Sequence, residues 1–525
     1  MRPFLGIIGI LIAAIAVEFN DQVTAIALVD VRGAFGISYD PGTWLNSLYV
    51  SAEIVGMGIS AWFLITFTLR RWSMFSIALC CVSSVLIPFS PNIEALYALR
   101  LLQGFSEGLV IPLLMATALR ALSAETRVYG LAVYALSSSF TAAMAASLAA
   151  LWTDIVDWRF VFWQAIPLCA LAALLVWYGD PQDDAHYERF RILDWRGVLL
   201  LIVGFGALST MLYQGDRLDW FNSPLICVLA LISVIAVPLF LLNEWFHPVP
   251  LIKLQMLGRR NIAYGFIALS VFLVISQSGT TVPLQILQQV QGYRPLQSFP
   301  ITLEIALPQL VLLPAVAYLL DFRWVDSRVV SVIGLALILT SCIGSSFVDE
   351  TWNRDQFFFW QAFQAVGQPL VVMPLLLMST NAVRGAAEAP FAAALINTPR
   401  AVAAAIGAWL LALIARWRGA LHSDRIVDQI GQHRFLTVQG NGVLPSLPTA
   451  LLPNGQPRTP GSVQGLSAAV QQQVTILTAA DTFLILGALT VFLMILVVLL
   501  PIRTLPPRIE LAKQGIQLAN RGRAT

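Results

Sequence analysis

The sequence predicts an all-α membrane protein with fourteen membrane-spanning helices. Of its 525 residues, 58% are hydrophobic and only 11% are charged. Soluble domains carry about 25% charged residues, so this chain has too few to cover a surface that faces water. Apolar runs recur along its whole length, each of about 20 residues, which is the length that a helix needs to cross a bilayer.

Fourteen apolar segments meet this length, and most connections between them are short and hold charged or turn-forming residues. The first segment is longer than the apolar core of a cleavable signal peptide, and we expect it to remain in the protein. The predicted spans are residues 5–29, 43–66, 72–90, 94–121, 128–152, 158–178, 196–213, 223–246, 262–286, 301–320, 329–348, 357–380, 391–415 and 476–500.

The distribution of lysine and arginine predicts the orientation of the chain. With a cytoplasmic N-terminus, basic clusters such as Arg70-Arg71 and the arginine-rich tail fall in the cytoplasm, whereas the short loops on the other side hold single arginines. Positive charge concentrates on the cytoplasmic side of membrane proteins, so we expect both termini there. The one long connection, residues 416–475, then lies outside. Its Pro, Gly and Gln content favours irregular structure, with short helices at its two ends.

Several functional classes are disfavoured by what the chain lacks. Neither of its two lysines stands in a P-loop pattern, so uphill transport would draw on an ion gradient or on another chain. Its four histidines lie in connecting segments without metal-ligand spacing, and its five cysteines lie in apolar runs. We therefore expect no enzyme activity, no cofactor, no metal and no nucleic-acid partner.

Two carboxylates, Glu18 and Asp21, interrupt the first span. An ionised group in a membrane segment costs roughly 3 kcal/mol or more, so such residues mark functional sites by default. Three residues apart on a helix, the two share a face, which favours a role in proton coupling. The alternative is a first helix that ends early and leaves both carboxylates in an outer vestibule filled with water.

Short motifs occur in order along the predicted spans. They are GISYDPGTW at 36–44, RLLQGFSEG at 100–108, WRFVFWQAIP at 158–167, DWRGVLLLIVGFGAL at 194–208, LDWFNS at 218–223, LLDFRWVDSR at 319–328 and NTPRAVAAAIG at 397–407. Together with the acidic first span, this ordered set resembles the fourteen-helix drug/proton antiporter family of the major facilitator superfamily, the EmrB type. The likeness covers nearly the whole chain.

The resemblance implies the major facilitator fold. Its parts would be a six-helix half (residues 1–180), a cytoplasmic linker with two inserted helices (181–260), a second six-helix half (261–500) and a cytoplasmic tail (501–525). The function implied is export of an amphipathic organic compound in exchange for protons, with the substrate bound near the midplane between the halves. In the loop motifs, the residues implied to gate the cytoplasmic side are Arg70, Arg71, Asp321, Arg323 and Arg328.

The resemblance also implies a location and partners. The protein would lie in a bacterial inner membrane, surrounded by the lipid bilayer. A periplasmic membrane-fusion adaptor and, through it, an outer-membrane channel would be further partners, and the outer connection 416–475 is the candidate docking segment. The small organic substrate and protons would be its transported ligands.

Two family motifs are altered in this chain. AWFLITFTLRRW at 61–72 lacks the acid and the glycines of the loop between the second and third spans, and AASLAA at 145–150 replaces the Gly-Pro motif of antiporters. The alanines still permit close helix packing. These changes keep two alternatives open. One is a facilitator or symporter of the same fold, and the other is a non-transporting membrane sensor or scaffold whose outer loop binds a partner.

The fourth span carries Arg100, Gln103 and Glu107 along one stripe. An arginine keeps its proton, so within a membrane it needs an anion nearby, and we expect Asp21 or Glu18 to supply it. That carboxylate would stay ionised while paired and would take up a proton when the arginine moves away. The alternative is a static bridge between Arg100 and Glu107. The Gly104-x-x-x-Gly108 pair indicates helix packing.

Further polar residues inside the spans are candidates for the substrate path. For the glutamines, a hydrogen bond between helices is an equally good interpretation. Arg400 is the only cation within the spans of the second half. The candidates are Glu53, Glu304, Gln361, Gln364, Gln368, Asn397 and Arg400, with Gln309 beside Glu304.

Overall fold

The computed structural model describes residues 2–123, 125–180, 184–432, 460–510 and 513. These residues are almost entirely helical and form no strand. Fourteen helices among them are long and apolar enough to cross a membrane. The predicted fold class is therefore confirmed. The structural reason is that a helix satisfies all its backbone hydrogen bonds internally, as hydrocarbon requires.

The fourteen spanning helices are numbered α1 to α14 in chain order. They are Phe4–Phe35, Tyr39–Phe67, Leu69–Phe89, Ile93–Ala121, Arg127–Ile155, Phe160–Gly179, Trp195–Gln214, Pro224–Phe246, Arg260–Gln289, Pro300–Leu320, Ser327–Ser345, Arg354–Thr380, Ala389–Ile430 and Gln464–Leu499. We call the face at which α1 begins the N-terminal face, and the other the opposite face.

The last two helices are much longer than their sequence predicted. The α13 helix runs on without a break to Gln432, and α14 is preceded in the same helix by residues from Pro460. At 1.5 Å per residue these helices of 44 and 40 residues are about 66 and 60 Å long, roughly twice the hydrocarbon thickness. The helices predicted at the two ends of 416–475 are present, as continuations of α13 and α14. The middle of this connection, 433–459, where irregular structure is predicted, lies outside the described residues.

An ion pair and a histidine contact between α13 and α14 help to explain why both helices continue. Arg418 and His422, one turn apart on α13, both contact the carboxylate of Asp481 on α14 at 2.6 Å. Each helix thereby supports the other near the point where the bilayer stops shielding its backbone. Helical stability in proteins comes mainly from such packing, which a reading of composition misses.

Helices α2 and α4 pack closely, through glycines. A Cβ atom on Gly104 would lie 2.1 Å from the carbonyl oxygen of Tyr49, and one on Gly108 would lie 2.2 Å from that of Glu53. Neither glycine could be replaced without separating the helices. The Gly-x-x-x-Gly pair therefore serves helix packing, as its spacing indicated.

The alanines of α5 also serve packing. Ala145 and Ala149 are fully buried against Val23 and Ala27 of α1. After Ala150 the helix finishes in one wider π turn over Leu151–Ile155. The altered motif thus keeps α1 and α5 close, as predicted from the small side chains of its alanines.

An aromatic cluster lies at the N-terminal face where the acidic loop motif is missing. The rings of Phe67 and Trp72 stack at 5.6 Å across the α2–α3 turn, and Phe190 of the linker packs edge-on against Phe67 at 5.5 Å. Between them Thr68 adopts φ 78°, a backbone conformation that favours glycine. Aromatic packing therefore holds this turn.

The inserted helix α7 lies between the first and second groups of helices, α1–α6 and α9–α14. It packs against both α2 and α13. Ser209 lies 2.7 Å from Ser51 of α2, and the Gln214 amide donates to Ser47 at 2.7 Å. The α8 helix packs on the outer side of α7. The insertion therefore closes one lateral side of the space between the groups.

Candidate functional site

A cavity of about 1120 Å³ lies between the two groups of helices. It reaches the opposite face, where Tyr39, Gln289 and Ser423 line its mouth. Towards the N-terminal face it is closed, because α13 packs there against α2 and α4 and its residues 392–396 are buried. Its floor lies at Glu18, midway along α1. The protein is thus open to one side only.

An ion pair joins the two groups at this floor. Glu18 of α1 accepts a hydrogen bond from Arg400 of α13, and their side chains are only 5% and 18% exposed. Beside them the Tyr134 hydroxyl of α5 donates to Asn397 of α13 at 2.6 Å. Sequence reasoning had selected Glu18, Asn397 and Arg400 separately, and the fold brings them together.

The expected ion pair between Arg100 and a carboxylate of α1 is not formed. Arg100 instead donates to Gln103 at 2.5 Å and lies 4.4 Å above the ring of Tyr49. Among the described residues no carboxylate lies within ion-pairing distance of it, so the static bridge to Glu107 is absent as well. The reason is the rotation of α4, which turns this stripe towards α2 and away from the cavity.

Glu107 belongs to a buried network inside the first group. Its carboxyl group accepts hydrogen bonds from the Tyr49 hydroxyl and, at 3.0 Å, from the Asn20 amide, which also donates to Ser84 at 2.8 Å. These side chains have no access to solvent. The network links α1, α2, α3 and α4, and it does not line the cavity.

Asp21 and Glu53 line the cavity wall above Glu18. Asp21 is half-buried and accepts a hydrogen bond from its neighbour Gln22 at 2.9 Å. The Glu53 side chain is 8% exposed, and no described residue forms a hydrogen bond or ion pair with it. Because α1 continues to Phe35, the alternative of a first helix that ends early is wrong.

Most of the glutamines connect helices. Gln364 donates to Ser278 of α9 at 3.0 Å and to Ser341 of α11 at 3.2 Å, and Gln309 donates to Gln368 at 3.3 Å. Of the α12 stripe only Gln368 lines the cavity. Gln361 and Gln364 do not line the described cavity, and their place in the substrate path stays a prediction. The stripe faces the interior of the second group, where serines on α9 and α11 are available as partners.

Glu304 is also absent from the cavity wall. It is half-buried on α10, whose neighbouring residues Ile305 and Ala306 pack against Ala143 of α5. Its place in the substrate path is thus not supported by the shape of the cavity. The helical face that carries it is used for contact with α5, which hydropathy could not indicate.

The implied gating residues near α2 and α3 have partners within their own part of the molecule. Arg70 lies 4.3 Å above the ring of Trp177, and Arg71 donates to the Tyr187 hydroxyl at 3.0 Å. Neither of these contacts reaches the second group. A gating role for the two arginines stays a prediction.

The implied gating residues near α10 and α11 are joined to the tail. Asp321 pairs with Arg508 at 3.6 Å, and the Arg323 carbonyl accepts from Arg503. Arg328 pairs with Asp326 at 2.9 Å. Burial opposes ionisation of Asp326, but the hydrogen bonds and charge of Arg328, with the charge of Arg503, hold its pKa below the ordinary value. These contacts brace the second group, and a gating role for its residues stays a prediction.

Further ion pairs on the opposite face join the second group to the first group and to the inserted helices. Arg294, between α9 and α10, pairs with Asp154 at 2.6 Å and with Asp30 at 3.0 Å. On the other side, Arg416 of α13 pairs with Asp219 in the loop between α7 and α8. Sequence reasoning missed these pairs, because single arginines in short loops indicate only orientation.

Comparison with known proteins identifies the family. Residues 10–408 match the Major Facilitator Superfamily profile. The chain belongs to this superfamily. It is similar to the multidrug export protein EmrB of Haemophilus influenzae, at 25% identity over 79% of this chain and 81% of that one. The fatty acid resistance protein FarB of Neisseria gonorrhoeae is 24% identical over 79% of this chain and 82% of its own length.

Solved structures show the same fold. A POT family transporter crystallised with a conjugated peptide superposes with a TM-score of 0.58 over 94% of this chain and 95% of that one, at 13% identity. The resemblance drawn from the motifs is thus confirmed, and the protein is a multi-pass membrane transporter with small-molecule substrates. Its relatives are transporters, in keeping with the expectation of no enzyme activity.

Proposed function

We propose that this transporter exports amphipathic organic compounds across a bacterial inner membrane in exchange for protons. The observation that carries the proposal is the ion pair between Glu18 and Arg400, which joins the two groups at the floor of a cavity that also holds Asp21 and Glu53. The names of relatives, a multidrug export protein and a fatty acid resistance protein, support organic compounds as the substrate class.

The two groups would act as the moving halves, residues 1–180 and 261–500. For the N-terminal face to open, α1 and α13 must separate and Glu18 must leave Arg400. The arginine keeps its charge, so protonation of the carboxylate is the step that weakens the attraction. A proton bound at Glu18 or Asp21 therefore favours opening towards the N-terminal face, and its release favours the conformation seen here.

The direction of opening follows from the positive charges. With the basic tail and the Arg70-Arg71 pair in the cytoplasm, both termini are cytoplasmic and the cavity faces the periplasm. Protons would reach the carboxylates from the periplasm, where they are more abundant in an energised cell. The substrate would be taken up when the N-terminal face is open.

The shape of the cavity supports amphipathic substrates. Its volume of about 1120 Å³ slightly exceeds the range for sites that hold drug-sized molecules, about 300–1,000 Å³, so a ligand of that size fits. Apolar side chains, including Met57, Leu269, Phe272 and Ile286, line the same cavity as the carboxylates. A ligand with an apolar body and a polar group matches this surface.

The long α13–α14 pair is the surface we propose for a periplasmic membrane-fusion adaptor, and through it for an outer-membrane channel. Both helices extend past the mouth of the cavity, and Trp417 on α13 is 68% exposed. An exposed tryptophan on a rigid helix suits a protein contact. A substrate released from the cavity mouth would emerge beside such a partner.

Transport in inverted membrane vesicles with an imposed pH gradient tests the proposal. We expect acid-inside vesicles to accumulate ethidium, and Asp21→Asn and Glu18→Gln to reduce this uptake at least tenfold. Glu94→Gln, an exposed carboxylate at the start of α4, is the matched control and should leave uptake unchanged.

Two outcomes would contradict the proposal. Gradient-dependent uptake that survives both substitutions would remove the assigned carboxylates from coupling. Uptake that is rapid without a gradient, and is not concentrated by one, would favour the facilitator suggested by the alanines at 145–150.

A further inference from the structure

A shallow groove of about 590 Å³ lies between α3 and α6 on the outer surface of the first group. Its α6 residues follow the spacing of a single helical face, and at the end of that face Trp177 and Tyr178 are 55% and 71% exposed. The groove shares no residue with the central cavity, and it faces the lipid. It is lined by Met74, Ala170, Ala173, Leu174, Trp177 and Tyr178.

The groove has the position and the length of a site for an acyl chain. Its wall on α6 runs from Ala170 to Trp177, which at 1.5 Å per residue is about 10 Å. One leaflet of a bilayer holds roughly 15 Å of hydrocarbon, and α6 ends at Gly179 on the N-terminal face. The groove therefore extends through much of the leaflet on that side. Its two alanines leave the depression, because larger side chains at these positions would fill it.

A positive charge lies at the end of the groove. The Arg70 guanidinium, at the start of α3, is 4.3 Å from the centroid of the Trp177 ring. Among the described residues no carboxylate lies within ion-pairing distance of Arg70, and the turn itself offers none, because AWFLITFTLRRW at 61–72 contains no acidic residue. Tryptophan and tyrosine at the ends of spans lie at the level of the lipid headgroups. Arg70 is therefore placed at the depth of lipid phosphates.

Arg71 adds a second positive charge beside the first. It is exposed and donates to the Tyr187 hydroxyl at 3.0 Å, and no carboxylate in the described part of the chain pairs with it. Two adjacent cations attract a headgroup with a net negative charge, and they repel the ammonium group of a zwitterionic one. A guanidinium also matches the geometry of two phosphate oxygens. The charge at this end of the groove thus selects an anionic headgroup.

We propose that the groove between α3 and α6 binds an anionic glycerophospholipid. Its phosphate accepts hydrogen bonds from Arg70, and one acyl chain lies along Ala170 and Ala173. The bound lipid joins α3 to α6 and supplies the α2–α3 turn with the anion that its own residues lack. This binding does not depend on the proposed transport or on its direction.

Two lipids that differ only in their headgroup test the proposal. Native mass spectrometry of the purified full chain in detergent gives a Kd for phosphatidylglycerol and for phosphatidylethanolamine with the same acyl chains. We expect phosphatidylglycerol to bind at least fivefold more tightly. Arg70→Gln should reduce this preference to less than twofold. Ala173→Phe, which fills the groove, should weaken both lipids at least threefold and keep the preference.

Matched variants separate lipid recognition from a purely structural role. Arg70→Lys keeps the charge and should keep most of the preference for phosphatidylglycerol. Arg196 also lies over an exposed tryptophan, Trp195, but that ring lines neither cavity, so Arg196→Gln should bind both lipids as the wild type does. Leu171→Phe places the same new ring on α6 outside the groove and should leave both affinities unchanged.

Several results would overturn the site. Equal affinity of the wild type for the two lipids would do so, as would unchanged phosphatidylglycerol affinity in both Arg70→Gln and Ala173→Phe. An equal loss in Arg196→Gln would show a general effect of surface charge and would also contradict the site. Each variant must elute as the wild type does in size-exclusion chromatography. If Arg70→Gln fails to fold, the contrast between Ala173→Phe and Leu171→Phe decides.

Discussion

The α4 and α12 helices carry polar stripes with the same spacing, one in each group of helices. The stripes are Arg100, Gln103 and Glu107 on α4, and Gln361, Gln364 and Gln368 on α12. Both stripes face mainly the interior of their own group and cross-link its helices, although Gln368 also lines the cavity. The first does so with ionisable side chains and the second with neutral amides. Equal spacing therefore gives the two stripes the same orientation, but removing a hydrogen-bond partner should reduce the free energy of unfolding much more in the ionisable stripe.

At the N-terminal face the contrast is reversed: here the first group uses apolar contacts and the second group uses charged ones. There the first group holds its α2–α3 turn with aromatic rings, such as Phe67 on Trp72. The second group holds its α10–α11 turn with ion pairs, such as Asp326 with Arg328. The first group is thus ionisable inside and apolar at this turn, and the second is neutral inside and charged at its turn. Only the second turn should respond to salt.

The largest effect is expected inside the first group. Glu107→Ala leaves the donors of Tyr49 and Asn20 buried without an acceptor, and we expect a loss of about 3 kcal/mol in the free energy of unfolding. Gln364→Ala, the matched change in α12, removes neutral hydrogen bonds and should cost about 1 kcal/mol. Denaturant unfolding of the purified protein in one detergent measures both. Equal losses would show that the two stripes do not differ in this way.

The next effect concerns the one ion pair at the cavity floor that joins the groups. Arg400→Gln leaves the Glu18 carboxylate without its cation, and we expect a loss of about 2 kcal/mol, less than in a dry core because the cavity admits water. The double variant Glu18→Gln/Arg400→Gln should recover most of this loss and still fail in gradient-driven uptake. Thermal unfolding of the wild type, Glu18→Gln, Arg400→Gln and the double variant gives the coupling energy of the pair. A coupling energy near zero would show that the ion pair does not help to hold the N-terminal face closed.

The smallest effect concerns the turns at the N-terminal face. Arg503→Ala/Arg508→Ala removes partly exposed ion pairs to Asp326 and Asp321, and we expect a loss of about 1 kcal/mol at low salt that shrinks at 1 M salt. Phe67→Leu, the matched change at the other turn, should cost the same at both salt concentrations. Thermal unfolding at the two concentrations distinguishes them, and a salt-independent effect of the arginines would contradict the assignment.

The same turn has a predictable dependence on pH. Because the pKa of Asp326 is lowered in the folded protein, its ion pairs stabilise the fold above the ordinary aspartate value, about 3.9. That contribution is lost as the pH falls through the lowered value. The arginine double variant should therefore differ less from the wild type in strong acid, where only the hydrogen bonds from these arginines to backbone carbonyls remain.

Particular residues show how far sequence reasoning reached in the site. Glu18, Asp21 and Arg400 could be selected because any charge inside a span is costly and therefore informative. The pairing of these residues could not be predicted. Arg100, the arginine of the family motif, was the expected partner of the carboxylates, but it faces the interior of the first group, and Arg400 pairs with Glu18 instead. Tyr213 of α7, which also lines the cavity, carried no signal, because an aromatic residue at the end of an apolar span is common at membrane interfaces.

By itself the sequence determined the number and type of helices, the residues that carry charge within them and the superfamily. The physical reason is local. A segment in hydrocarbon must form its backbone hydrogen bonds internally and must expose apolar side chains, and both requirements can be recognised from the residues of that segment alone. Only the tertiary structure decided that Glu18 meets Arg400, that Arg100 rests on Tyr49, and that α13 and α14 continue beyond the bilayer. Those outcomes depend on how each helix is rotated and which helix lies beside it, and neither follows from any single segment.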